Sequence, residues 1–245
     1  MDVSRPTLNS DMGEALGLHS FGHDEALMSL IDVANVACGF HAGDPSVMDK
    51  TVALALRHDV RVGAHPGLPD ISGFGRRRIA LTSDEVREIV LYQVAALTGF
   101  LRRHGGELNH IKPHGALYGM LAGDEHLMGA AADVAELYGV PVYGLAGTSH
   151  EKVCQDRGIE FVPELYVDLN YDAAGQLIIK RTPHQTDPAD AARRVELALT
   201  GQPFPSIEDE PVTIPFASIC VHSDTPNAPA VARAVREAIG HAVEA

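Results

Sequence analysis

The sequence predicts an α/β protein folded as a seven-stranded (β/α) barrel, in one domain spanning residues 1–245. Three observations carry the expectation. A unit of short apolar run, tight polar loop and capped helix recurs along the chain, which implies parallel strands joined by helices. The runs end in polar side chains on many different strands: Asp11, His41, His65, His114 and His222 close the first, second, third, fourth and last. A barrel gathers the loops after all its strands on one rim, whereas a doubly wound sheet would concentrate such groups at a single switch point. The chain also lacks a low-complexity tract, a linker or a repeat of fixed period.

Each element follows from local chemistry. Pro6-Thr7-Leu8 is a weak first strand running into Asn9-Ser10-Asp11-Met12-Gly13-Glu14, which reads either as an Asx turn with a helix cap or as a cluster of binding groups. Asn35-Val36-Ala37 is a buried strand that stops at Gly39, and Asp44-Pro45 places an N-cap and a first-turn proline at the start of a helix over 45–58. Arg61-Val62-Gly63-Ala64 is the third strand, followed by a Pro/Gly-rich loop leading to Arg76-Arg77-Arg78. That triplet suits phosphate or carboxylate, or is a solvated surface. Thr82-Ser83-Asp84-Glu85 is a capping box opening a helix whose stripe is Val86, Ile89, Val90, Val94, Leu97 and Leu101. His110-Ile111-Lys112-Pro113-His114 forms the fourth strand and its end.

A helix over 124–138 and a strand over 140–144 come next, then Ala146-Gly147-Thr148-Ser149, a loop whose helix-opening amides suit an anion. Glu160-Phe161-Val162-Pro163 is a strand leading to Tyr166-Val167-Asp168-Leu169-Asn170-Tyr171. Asp172-Ala173-Ala174-Gly175 reads as a hairpin turn with a return strand over 176–180. Asp187-Pro188 caps another helix, 201–211 reads as an irregular loop, and Ala217-Ser218-Ile219-Cys220-Val221 is the last strand before a helix over 228–241.

Composition narrows the function classes. A formal charge of −14 disfavours nucleic-acid phosphates as partners. No apolar run approaches the length of a membrane span and no secretory leader is evident, so neither a membrane nor export is expected. Three scattered cysteines, Cys38, Cys154 and Cys220, form neither a disulfide framework nor a structural zinc motif, which suits a reducing cytoplasm. Cys38 has no base beside it and reads as core. Neither the P-loop, the G-x-G-x-x-G dinucleotide fingerprint nor G-x-S-x-G occurs.

What remains is a rim of histidines and acids (Asp11, Glu14, Asp44, Asp70 and Asp224 among the latter) suited to general acid–base work or to a divalent cation of unknown identity. Lys112 and His114 share a face in extended chain, and a lysine inside a barrel requires a partner, which marks it as a working residue.

The stretches Asn9-Ser10-Asp11-Met12-Gly13-Glu14, Ala37-Cys38-Gly39-Phe40-His41-Ala42-Gly43-Asp44, Gly63-Ala64-His65-Pro66, Gly73-Phe74-Gly75-Arg76-Arg77, Lys112-Pro113-His114-Gly115-Ala116-Leu117-Tyr118 and Ile219-Cys220-Val221-His222-Ser223-Asp224-Thr225-Pro226 resemble, in order, the signatures of the LamB/YcsF family. The resemblance implies a barrel similar to those of polysaccharide deacetylases and glycoside hydrolases. It also implies the A subunit of an ATP-dependent 5-oxoprolinase, opening 5-oxoproline or a related lactam to L-glutamate together with separate subunits B and C. Two positions depart from the family pattern: Ser10 stands for a usual Cys, and Leu169 for the Arg of an Asp-Arg-x-Tyr segment.

Under this reading, ATP with Mg2+ activates the amide, at a site lying partly on the partner subunits. Asp11 or His65 is the base for water, and Lys112 and His114 act on phosphate or oxyanion. His41 and His222 position substrate, Asp44 and Asp224 orient histidines, and Asn9, Glu14 and Tyr118 complete the binding surface. The competing expectations are an ATP-independent, metal-dependent amidohydrolase or deacetylase, and a non-catalytic subunit that delivers substrate.

Overall fold

Six parallel strands form a curled sheet, seen in a computed structural model that describes residues 5–19, 22–178 and 184–244. They are β1 (Thr7–Met12), β2 (Val33–Ala37), β3 (Arg61–His65), β4 (Val142–Gly144), β5 (Phe161–Tyr166) and, after four short strands outside the sheet, β10 (Ser218–Cys220). Across the sheet they lie in the order β3-β2-β1-β10-β5-β4. Strands β1 and β2 are buried on nearly every residue, as expected of a parallel sheet covered by helices.

The helices are α1 (Asp24–Met28), α2 (Pro45–Arg57), α3 (Ser83–Arg103), α4 (Gly115–Ala122), α5 (Glu125–Tyr138), α6 (Ser149–Arg157), α7 (Pro188–Leu199) and α8 (Ala228–Glu244). Their buried faces match the apolar stripes of the sequence, with Val86, Val90, Val94, Leu97 and Leu101 fully buried on α3. Ile89 is only partly buried, at the margin of that stripe. Among the described residues no helix is long and apolar enough to cross a membrane.

The expected fourth strand is not a regular strand. Residues 109–112 contribute one bridge at Ile111, which pairs in parallel with both Ala64 of β3 and Val142 of β4, the two edges of the sheet. Lys112 N donates to Ala64 O at 2.9 Å on one side, and Tyr143 N donates to Ile111 O at 3.0 Å on the other. Pro113, which has no N–H, prevents the ladder from extending. The chain then turns directly into α4, a helix absent from the sequence reading.

The hairpin is present as β6 (Asn170–Tyr171) with β7 (Leu177–Ile178), and the last two residues of its expected return strand lie outside the described residues. The 201–211 stretch, expected to be irregular, holds a small antiparallel ribbon of β8 (Phe204–Pro205) and β9 (Pro211–Val212).

Two caps match the sequence closely. Thr82 and Glu85 form the reciprocal capping box of α3. Asp44 caps α2, its Oδ1 accepting from Ser46 N at 2.8 Å and Val47 N at 3.0 Å while Oδ2 accepts from Gly17 N at 2.8 Å. This carboxylate is therefore occupied by backbone amides, which also lower its pKa. Asp44→Ala is expected to cost about 1 kcal/mol of folding stability, the usual loss on removing such a cap, measured as a lowered urea midpoint at unchanged slope.

Candidate functional site

The inside of the sheet is polar where β1 ends. Asn9, Asp11, Asn35, Lys112, Glu164 and Ser218 are all buried there and joined in one network. Asn9 Nδ2 donates to Ser218 Oγ at 2.7 Å, and Asn35 Nδ2 donates to Asn9 Oδ1 at 2.9 Å and to Asp11 Oδ1 at 2.8 Å. His110 Nε2 lies 2.7 Å from Asn35 Oδ1. Its ring fits because Gly63 has no side chain: a Cβ there would stand 2.0 Å from His110 Cε1.

Lys112 is the centre of this network. Its Nζ lies 2.9 Å from Asp11 Oδ1, 3.2 Å from Glu164 Oε1, 3.3 Å from Asn9 Oδ1 and 3.1 Å from Cys220 Sγ. Burial would pull the ammonium pKa down, but Asp11 foremost, with Glu164, holds it well above the usual lysine value. Burial likewise opposes ionisation of Asp11, and His65, Lys112 and His222 outweigh it, keeping the carboxylate well below its usual range. Glu164 goes the other way: burial raises it more than Lys112 lowers it.

Above the network lies a small cleft walled by Asp11, His65, Lys112, His114, Tyr118 and His222, and lined as well by Arg76, Tyr166, Asp168, Leu169 and Asp224. His65 Nδ1 sits 2.7 Å from the Lys112 carbonyl, and His114 Nε2 sits 2.8 Å from the Phe74 carbonyl. Each contact fixes a ring proton on that nitrogen. The other two nitrogens, His65 Nε2 and His114 Nδ1, face one another at 2.9 Å. His41 stacks on His114 with ring centroids 3.7 Å apart and planes 4° from parallel. Burial lowers the pKa of both His41 and His114 far enough to keep them neutral.

The loop carrying Phe74 is tightly built. Arg77 pairs with Asp70, whose Oδ1 also accepts from Gly73 N at 3.0 Å. Phe74 adopts a left-handed φ of 54°, strained for a residue with a side chain, and so aims its carbonyl at His114. Gly75, at φ 61°, has no room for a Cβ, which would lie 2.7 Å from His41 Cβ and 2.8 Å from His114 Cδ2. Within the arginine triplet the roles separate: Arg77 braces the loop, Arg78 is exposed, and Arg76 reaches the cleft with Nη2 2.8 Å from Asp224 Oδ2.

His222 is held by Asp168. Its Nδ1 lies 2.9 Å from Asp168 Oδ1, and its backbone N–H donates to Asp168 Oδ2 at 2.6 Å. Burial alone would lower this imidazole, but Asp168, then Asp11 and Asp224, raise it to about 9, so it is a cation at neutral pH. Its Nε2 points to Asp11 Oδ2 at 3.5 Å.

The structure thus brings Asp11, His65, Lys112, His114, Tyr118, His222 and Asp224 to one cleft, as expected. Glu14 and His41 lie buried behind the wall, and Asn9 belongs to the polar network below it. Asp44 is elsewhere, as a helix cap. The orienting acid of His222 is Asp168, and Asp224 pairs instead with Arg76. Sequence reasoning missed Asp168, Glu164 and Tyr166. Asp168 and Tyr166 fall in a segment already singled out, and Glu164, inside β5, directly follows the 160–163 stretch expected as the strand, a weak signal for a buried acid. The 146–149 loop does not wall the cleft; Thr148 Oγ1 caps α6, accepting from His150 N at 3.2 Å. Ser10 Oγ donates to Val221 O at 2.6 Å, a structural contact. Cys38 is core, its thiol pushed up to about 12 by burial.

A family model described as LamB/YcsF family matches residues 7–244. The "Lactam utilization protein lamB" of Emericella nidulans is 49% identical over 223 residues, 89% of this chain and 88% of the relative. The A subunit of 5-oxoprolinase from Thermus thermophilus is 42% identical over 240 residues, 96% of each chain. The crystal structure of a lactam utilization protein from Thermus thermophilus superposes with a TM-score of 0.89 at 41% identity, covering 98% of both chains.

Two measurements test the electrostatics. Lys112→Met removes the ammonium that bridges the buried Asp11 and Glu164 carboxylates, so it is expected to cost about 3–5 kcal/mol of stability as well as any activity; urea unfolding of the variant checks this. For His222, a folded pKa near 9 against an ordinary value of 6.5 contributes stability that is complete below pH 6.5 and lost as pH rises through 9. The loss amounts to about 3 kcal/mol. Unfolding free energies of the native chain and Asp168→Asn, compared from pH 6 to 10, isolate this contribution, and the variant is expected to show the shallower fall.

Proposed function

The chain belongs to the LamB/YcsF family, and from that premise we propose that it is the lactam-handling subunit of an ATP-dependent 5-oxoprolinase. The observation that carries the proposal is the cleft itself. It gathers Asp11, His65, His114 and His222 from separate segments beside a buried ion-pair network, in a chain 42% identical, across its length, to a 5-oxoprolinase A subunit. In this reading 5-oxoproline, or a related lactam, is opened to L-glutamate in concert with subunits B and C. The six strands, together with the Ile111 bridge between their two edges, support reading the scaffold as a barrel with seven positions.

Hydrolysis of a lactam needs an attacking water, a donor for the oxygen that becomes negative, and a proton for the departing ring nitrogen. His222, cationic and aligned by Asp168, is the donor. Arg76, held at the wall by Asp224, faces the substrate carboxylate. Asp11 is too weak a base at neutral pH to take a proton, so it orients the water by accepting its hydrogen bond. The water lies against the wall formed by the His65–His114 pair, whose Nε2 and Nδ1 are 2.9 Å apart. Lys112 fixes Asp11 and is already engaged with two carboxylates, which takes it out of phosphate binding.

The balance of charge in this cleft disfavours a nucleoside triphosphate as its occupant. Its cationic wall groups are each paired with an acid (Arg76 with Asp224, Lys112 with Asp11 and Glu164, His222 with Asp168), and no phosphate loop follows any strand. ATP and its Mg2+ are therefore assigned to the partner subunits, and no step on this chain is routed through them.

The test is to combine the purified chain with subunits B and C and supply 5-oxoproline and ATP. Glutamate is expected in step with phosphate release in the full mixture only, and His222→Gln is expected to lower kcat/KM by about 100-fold or more. A complete, folded mixture that forms no glutamate would overturn the proposal.

A further inference from the structure

His65 Nε2 and His114 Nδ1 present an unusual contact. Each ring directs a nitrogen to a carbonyl on its far side, that of Lys112 or of Phe74, and turns its second nitrogen toward the other ring at 2.9 Å. Nitrogens that close call for a positive centre between them, a shared proton or a bound cation. Glu14 Oε1 stands 3.6 Å from His114 Nδ1 and 3.4 Å from His41 Nε2, buried and without a hydrogen bond. Carbonyl oxygens bonded to the far side of each imidazole are the usual outer partners of metal-bound histidines. All three groups are at most 3% exposed.

We propose that Glu14, His65 and His114 form a binding site for a first-row transition cation of the Zn2+ class, with an open coordination position toward the cleft. Ligand atoms around a tetrahedral zinc with bonds near 2.0–2.1 Å lie about 3.3 Å apart; the His65–His114 and Glu14–His114 separations of 2.9 and 3.6 Å bracket that value, and all three atoms lie within 4.8 Å of one another. The donor set, two imidazoles and one carboxylate, suits zinc and its neighbours rather than Mg2+, which takes oxygen ligands.

His41 lies close enough to join the group, with all four ligand atoms within 4.8 Å of one another. Its ring geometry excludes it. An imidazole binds a cation in its own plane, and the planes of His41 and His114 are parallel and stacked, so no single point lies in both. His41 instead packs the His114 ring in place.

A second cluster, Asp11, Cys220 and His222, carries no such inference, because the Lys112 ammonium already lies 2.9 Å from Asp11 Oδ1 and 3.1 Å from Cys220 Sγ. The open position of the proposed site faces the cleft that His65 and His114 wall. The site rests on ligand geometry alone and stands or falls separately from the lactam reading.

The experiment is a calorimetric titration of the chelator-stripped full chain with Zn2+, with thermal unfolding followed in parallel. One equivalent bound per chain and a raised Tm are expected. Glu14→Gln and His114→Gln are expected to weaken binding by at least about tenfold, while His41→Gln keeps the site. Should those variants fail to fold, Co2+ bound to the native chain decides through its d–d absorption, expected to report a four- or five-coordinate ion with nitrogen ligands. A folded native chain that takes up no Zn2+, or binding that survives both Glu14→Gln and His114→Gln, overturns the assignment.

Discussion

A lysine ammonium with almost no access to water is the constraint on which this structure rests. Buried charge is costly unless paired and hydrogen-bonded, and Lys112 is surrounded by Asp11, Glu164, Asn9 and the Cys220 thiol. These partners come from three different strands: Asn9 and Asp11 from β1, Glu164 from β5, Cys220 from β10. The ion cluster therefore ties the register of these strands together as well as neutralising charge. It also explains why the interior is not simply apolar. Once Lys112 is inside, Asn35, Ser218 and His110 are needed to satisfy the remaining polar atoms around it.

That interior sets the chemistry above it. Asp11 uses one carboxylate oxygen on Lys112 and Asn35, which leaves the other near His65 and His222 at the floor of the cleft. A carboxylate so stabilised resists protonation and serves as a fixed negative pole. His222, between Asp168 and Asp11, becomes a fixed positive one. The pair His65 and His114 stands alongside, each ring oriented by a carbonyl oxygen. One cleft thus holds an anion, a cation and a pair of facing imidazole nitrogens in set positions.

The loop from Asp70 to Arg77 is the second determinant. Its Arg77–Asp70 pair and the left-handed backbone at Phe74 and Gly75 bring one carbonyl to His114, one guanidinium to Asp224 and the stack of His41 on His114 into register. Strain there is offset by hydrogen bonds within the loop and by α4, whose Ala116 N donates to Gly75 O at 2.9 Å. The positions that depart from the family pattern fall outside this arrangement. Ser10 bonds to the Val221 carbonyl, and Leu169 lines the cleft, with its carbonyl receiving Arg194 Nη1 at 2.5 Å.

The sequence by itself determined the strand–loop–helix order, the caps at Asp44, Thr82 and Asp187, the buried helix stripes and the convergence of Asp11, His65, His114 and His222. These are local matters: capping and periodicity act over three or four residues, and strand-end side chains on parallel strands must share one edge of the sheet. Only the tertiary structure decided which acid meets which base. Asp168 and His222 are far apart in the chain, as are Lys112 and Glu164, and nothing in their own neighbourhoods distinguishes them from other acids. Asp44 and Asp224 were equally plausible partners in sequence, and one became a helix cap while the other took Arg76. The reduction of the fourth strand to a bridge at Ile111, and the stack that sets His41 apart from His65 and His114, likewise follow from how distant segments pack. Pairing across the sheet interior is fixed by three-dimensional register, a quantity that no local stretch of sequence contains.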